Sequence, residues 1–142
     1  MTIAIINGPN LNLLGKREVE IYGNESIETF FEKLQSRFPA IDFIYYQSNI
    51  EGELINEIQR TGFICDGIVL NPGGYSHTSI AIGDAVAAIK APVIEVHISN
   101  IFAREEFRKF SHISASARGT ISGLGLKGYE LAIQFLADQQ SS

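Results

Sequence analysis

A carboxylate and an imidazole, Glu95 and His97, stand two residues apart in an otherwise apolar run. If that run is a strand, the two side chains share a face. A carboxylate beside an imidazole holds one tautomer and favours imidazolium, which suits a general acid near neutral pH. A purely structural hydrogen bond uses the same spacing. Ile98 and Ser99 follow where the chain leaves the strand, and backbone N–H groups there can bind a carboxylate. Arg104 and Arg108 are four apart. On a helix they face the same way, and two guanidinium groups favour an anionic ligand. A solvated charged face is the alternative use.

The stretch Gly15–Gly23 carries a glycine at each end, which suits a lid closing over a site. It contains Arg17 and Tyr22. A free tyrosine has a pKa of about 10, so a Tyr22 base needs a stabilised phenolate. A neighbouring guanidinium supplies that stabilisation, and a two-unit drop corresponds to about 2.7 kcal/mol. A packing tyrosine remains the alternative. His77 and Asp84 are expected at the start of one helix, on one face, to touch ligand or to cap and pair. His112 is read as surface or structural. Neither zinc-ligand spacing nor a glycine-rich nucleotide fingerprint occurs.

These residues need elements to position them. Thr2–Asn7 is a β-branched run. Ile27, Phe30, Phe31, Leu34 and Phe38 follow helical spacing, with Ser26 as N-cap and Pro39 as stop. Ile41–Tyr46 reads as a second strand. Ser48 and Glu51 fit a capping box ahead of Ile50, Leu54, Ile55 and Ile58, and Gly62 ends that helix. Asp66–Leu70 is the third strand. A stripe of Ile82, Ala85, Val86 and Ile89 follows, closed by Pro92. Pro92–His97 contains the fourth strand, Arg104–Phe110 a short helix, Gly119–Ser122 the fifth strand. Tyr129, Ala132, Ile133 and Leu136 line the last helix. Five strand–helix units predict one α/β domain over residues 1–142, a flavodoxin-like, doubly wound, five-stranded parallel sheet with helices on both faces. Ligands of such folds sit beyond the carboxyl ends of the strands. Three polar clusters converge there: Asn7–Asn12, Asn71–Ser79 and Glu95–Asn100. Ordinary turn formation explains any one of them, but less readily all three on one edge.

Composition narrows the function. The chain is 45% hydrophobic and 19% charged, and its net charge of −5 gives no global basic field for nucleic acid. Cys65, the single cysteine, excludes an internal disulfide and is expected as a buried thiol. Met1–Asn7 is too short for a signal sequence, and no run of about 18 apolar residues exists to span a membrane. The expected location is cytoplasmic, with Gln139–Ser142 as a frayed tail.

Several motifs resemble one family. Ile6-Asn7-Gly8-Pro9-Asn10-Leu11-Asn12-Leu13-Leu14-Gly15 is similar to the signature of the type II 3-dehydroquinate dehydratases. So are Arg17 with Ile21-Tyr22-Gly23, Gln47-Ser48-Asn49 with Glu51-Gly52, Asn71-Pro72-Gly73, and Glu95-Val96-His97-Ile98-Ser99-Asn100. The likeness runs from about Ile3 to Leu136. Departures such as Val19, Gly74, Phe102, Phe110 and His112 touch lid stiffness and packing.

The resemblance implies conversion of 3-dehydroquinate to 3-dehydroshikimate and water in the shikimate pathway. The elimination is anti, through an enolate, with no imine and no metal or cofactor. Tyr22 is then the base, supported by Arg17. Asn10 helps hold a water against the enolate oxygen, and His97, oriented by Glu95, is the acid. Asn71, His77, Ser99, the Ile98 amide and Arg108 hold the substrate. Asp84 acts near a neighbouring subunit's site, in trimers grouped into a homododecamer. Two rivals stand beside this reading. An imine-forming lysine enzyme would have only Lys16 of the five lysines near the active edge. A flavin-binding or phosphate-accepting module could share the fold, although the latter wants carboxylates where this chain has Asn7 and Asn10.

Overall fold

The computed structural model describes residues 1–14 and 26–141; the expected lid, with Arg17 and Tyr22, lies outside the described residues. Five strands form one parallel sheet: β1 (Thr2–Asn7), β2 (Asp42–Gln47), β3 (Gly67–Asn71), β4 (Val93–His97) and β5 (Gly119–Ser122). Their spatial order is β2-β1-β3-β4-β5. Among the described residues the α-helices are α1 (Ile27–Arg37), α2 (Glu51–Gly62), α3 (Ile80–Ala88) and α4 (Lys127–Ser141).

The alternation of side chains along each strand divides the core in two. Ile3, Ile5, Val69, Ile94 and Val96 pack against Ile27, Phe30 and Leu34 of α1 and against Tyr129, Ala132, Ile133 and Leu136 of α4. On the opposite face, Ala4, Ile6, Ile68, Leu70 and Val93 meet Leu54 and Ile58 of α2 and Ile82, Ala85 and Val86 of α3. Both faces are therefore covered, as continuous apolar strands in a parallel sheet require. This is the doubly wound, flavodoxin-like arrangement read from the alternation of elements.

The order in which strands are laid down reverses between β1 and β3. From β1 the chain winds outward to β2, and from β3 it winds the other way to β4 and β5. The strand ends separate at that switch point and open a crevice. Asn7 is in register with Gln47 on one side and Asn71 on the other, so three amides line up across the carboxyl edge.

Capping fixes where two helices start. The Ser26 hydroxyl accepts from Thr29 N–H at 3.2 Å, and Ser79 accepts from Ile82 N–H at 3.0 Å. The Ser48–Glu51 box does not form. Ile50 takes the cap position of α2, while Ser48 accepts from Ile50 N–H at 3.0 Å and donates to Glu53 at 3.2 Å. The cap position thus falls two residues after Ser48, and the carboxylate that meets the Ser48 hydroxyl is Glu53 in place of Glu51.

Other expectations are corrected. Arg104–Phe110 is no α-helix: single 3₁₀ turns cover Ile101–Ala103 and Glu106–Lys109. No residue of the second turn is buried, so packing does not drive α-helix propagation there. His77 ends a 3₁₀ turn, Gly73–His77, ahead of α3, so it does not share a helical face with Asp84. Cys65 is half-buried, not buried, and burial pushes its thiol up. Gln139 and Gln140 continue α4 in place of a frayed tail. Among the described residues no helix is long and apolar enough to cross a membrane.

Candidate active site

A cleft of about 200 Å³ opens at the carboxyl ends of β1, β3 and β4. Asn10, Asn71, His77, His97, Ile98, Ser99 and Arg108 line it, so seven of the expected site residues come together. Arg104 joins them, as do Pro9, Gly73 and a floor of Leu11, Leu13 and Leu14. Glu95 lies behind His97, fully buried. Asp84 is exposed on α3 and does not line the cleft. Arg17 and Tyr22 lie outside the described residues.

The rim is held by close backbone contacts. Gly8 N–H donates to the Asn71 carbonyl at 2.7 Å. A Cβ on Gly8 would lie 2.5 Å from the Pro72 carbonyl oxygen, so only glycine permits this approach. Asn10 sits in the left-handed region at φ 72°, which asparagine tolerates. Its N–H donates to the Asn49 side chain at 2.9 Å, and Gln47 donates to the same oxygen at 3.2 Å. The polar residues after β1 and β2 therefore brace one another.

Asn71 is 3% exposed and nearly every polar atom of it is engaged. Its Oδ1 accepts from Gly73 N–H at 3.1 Å, and its Nδ2 donates to the Tyr129 hydroxyl at 2.9 Å. That hydroxyl donates in turn to Asn7 at 2.7 Å. Burial pushes the Tyr129 phenol far up, so it stays neutral as donor and acceptor. The network fixes the Asn71 amide from below, from the last helix.

Glu95 and His97 do share a face of β4. Their side chains meet at 2.5 Å, Nε2 to Oε2. Burial would raise the Glu95 carboxyl, but hydrogen bonds from His97, Ser114 and Ser111 outweigh it and hold the carboxyl below its usual range. With Nε2 committed to Glu95, the other ring nitrogen of His97 is the one available to the cleft. Only 5% of His97 is exposed, so water has little access to the pair.

His77 stacks beside it, centroids 6.0 Å apart and planes 20° from parallel. Its Nδ1 lies 2.7 Å from the Phe110 carbonyl, an acceptor, so Nδ1 carries the proton. Burial pushes His77 below the ordinary imidazole range, and His97 and Arg108 add to that effect. At neutral pH it is uncharged, with Nε2 as an acceptor. His112 N–H donates to the Ser76 carbonyl at 2.7 Å, a second tie between the segment after β3 and the segment after β4.

Arg104 donates to the Ser99 hydroxyl at 3.3 Å. Arg108 pairs with exposed Glu105 at 2.6 Å and lies over the Phe107 ring at 5.1 Å. Such a solvent-facing pair is weak, so a ligand carboxylate can compete for the guanidinium. Arg104 reaches the cleft from the end of one 3₁₀ turn and Arg108 from within the next, not from the α-helix that their spacing suggested.

Four residues carry functions that the sequence did not signal. Ser111 and Ser114 hold Glu95, and nothing distinguishes them from other loop serines. Tyr129 reads as an apolar stripe position, and its partner Asn7 as a turn former. A family model, dehydroquinase class II, matches residues 1–137. The chain belongs to this family. Membership makes it an enzyme, a 3-dehydroquinate dehydratase. It is 52% identical over 135 residues to the 3-dehydroquinate dehydratase of Bacillus licheniformis, covering 94% of this chain and 93% of that one. The protein of that name from Aliarcobacter butzleri is 50% identical over 135 residues, covering 94% and 82%. The crystal structure of type II dehydroquinase from Butyrivibrio crossotus superposes with a TM-score of 0.92 at 49% identity, covering 96% and 97%.

Proposed function

We propose that this dehydroquinase removes water from 3-dehydroquinate by anti elimination through an enolate, without an imine. The product is 3-dehydroshikimate, in the shikimate pathway. A proton alpha to a ketone needs a base, and a hydroxyl leaving from the beta carbon needs an acid. Tyr22 removes the C2 proton, with Arg17 supporting its phenolate. Asn10 helps hold a water against the enolate oxygen. His97 delivers its proton to the C1 hydroxyl, which departs as water.

The buried Glu95–His97 pair carries this reading. It places a charge-supported imidazole at the wall of a cleft rimmed by guanidinium groups. Arg108, Ser99 and the Ile98 amide hold the substrate carboxylate, and Asn71 and neutral His77 its hydroxyls. The lysine that the imine rival would use, Lys16, lies outside the described residues, and the borohydride arm of the test below decides that rival. The enzyme works in the cytoplasm as trimers assembled to a homododecamer, in which Asp84 serves a neighbouring site.

The test is turnover of 3-dehydroquinate followed by the ultraviolet absorbance of the conjugated enone. Borohydride is added during turnover, and the protein is then weighed by mass spectrometry. Enone formation with unchanged protein mass is expected. Folded protein without activity, or a stable adduct on Lys16, would overturn the mechanism.

A further inference from the structure

Glu95 has no exposure to solvent, yet it accepts from three donors. Ser114 donates to Oε1 at 2.7 Å. Ser111 lies 2.9 Å from Oε2 and 3.1 Å from Oε1. His97 contributes the third bond. The direction of the Ser111 bond is fixed by its surroundings. Its oxygen already accepts from the N–H groups of Ile113, at 3.0 Å, and Ser114, at 3.2 Å. Both lone pairs are taken, so its single proton has only the carboxylate to meet. Ser114 is oriented similarly, because Thr120 points a hydroxyl at its oxygen from 3.2 Å.

We propose that Ser111 and Ser114 are positioning residues that set the acidity of His97 by holding Glu95 as a carboxylate. This rests on the reading of His97 as the acid. When His97 gives its proton to the departing hydroxyl, the carboxylate loses its cationic partner at a position with no exposure to solvent. Two serine O–H groups then keep it satisfied, and that stabilises the state after proton transfer more than the state before it. Without them the carboxylate would keep only the Nε2–H bond, the ring would hold its second proton more tightly, and the imidazolium would be too weak an acid. The serines thus oppose Glu95's pull on the proton. The other ionisable or charged side chains facing the pair, among the described residues, are His77 from the turn after β3 and Arg104 and Arg108 from the segment after β4. The serine effect is superimposed on theirs.

The sign distinguishes this from simple support. Removing a serine hydroxyl should make the Glu95–His97 pair hold its proton more tightly. The alkaline limb of the rate profile then moves to higher pH. The experiment uses Ser114→Ala, whose side chain caps no backbone group in the described hydrogen bonds, with Ser114→Thr as the variant that restores the hydroxyl. The full enzyme is labelled with ¹³C at histidine Cε1, and the signal of His97 is titrated beside the rate. Only three histidines are present, so His77→Gln and His112→Gln assign the signals. In Ser114→Ala the His97 midpoint should rise by about half a pH unit, about threefold in proton affinity, for loss of one donor of three. Turnover should fall, and Ser114→Thr should restore both. A His97 midpoint that does not rise overturns the serine proposal. A midpoint that rises while the alkaline limb of the rate stays put confirms the serine effect on His97 and overturns His97 as the acid.

Discussion

Replacing Glu95 by glutamine keeps the shape of the side chain and removes its charge, at a position with no solvent to compensate. The consequences follow from the donors around it. Ser111 must donate, because its oxygen already accepts two backbone N–H groups. The new carbonyl oxygen therefore turns toward Ser111 and Ser114, and the new amide N–H₂ turns toward His97. Nε2 of His97 must then accept, which leaves a neutral imidazole protonated on the other nitrogen. A neutral imidazole is a very poor acid. Loss of one charge-assisted bond corresponds to about 1.5–3 kcal/mol, or about 1–2 pH units. The alkaline limb of the rate profile should move down by that amount. At neutral pH turnover should fall by about 10²–10⁴, the usual range for a positioned acid. The assay is enone formation between pH 5 and 10, as kcat and kcat/KM, with circular dichroism to verify folding. A folded variant whose alkaline limb has not moved would refute the pairing argument, however slow it is.

Arg17→Ala should instead move the acidic limb to higher pH, because Tyr22 loses the charge that supports its phenolate; an unmoved acidic limb assigns the base elsewhere. Tyr129→Phe leaves Asn7 and Asn71 each short of a buried partner, so urea unfolding should report a loss of about 1–3 kcal/mol with a rise in KM. Gly8→Ala should destabilise and raise KM, because the added carbon meets the Pro72 carbonyl at 2.5 Å; thermal melting and steady-state kinetics measure both. Stability should fall as pH drops through the ordinary imidazole pKa of about 6.5, because unfolded His77 binds a proton that the folded residue resists. His77→Gln should flatten that part of the urea-midpoint profile.

The fold was legible because the rule that builds it is local. Apolar runs bounded by turn-forming residues marked the strands, and the first, third and fourth delivered polar clusters to the same edge. The Glu95–His97 pair was legible because a strand of any register places residues i and i+2 together. Ser111 and Ser114 were not, since they reach Glu95 from 16 and 19 residues away through irregular chain. Tyr129 meets Asn7 across 122 residues, a contact that helical periodicity cannot announce. The Arg104–Arg108 helix failed for the opposite reason. Spacing suggested it, but no buried face supports it.

The ties between the segments after β3 and β4, His77 to Phe110 and His112 to Ser76, bear on how ligands are discriminated. On the proposed roles, two walls joined in this way set the spacing between Asn71 and His77, which meet the hydroxyls, and Ser99 and Arg108, which meet the carboxylate. Reshaping them for a mismatched molecule would break these hydrogen bonds, so adaptation carries a cost. Rigid, flat carboxylates of the right span bind such a wall with little freedom left to lose, whereas flexible analogues must freeze their own torsions to reach the same contacts. Selectivity on this side of the cleft is therefore a matter of ligand geometry.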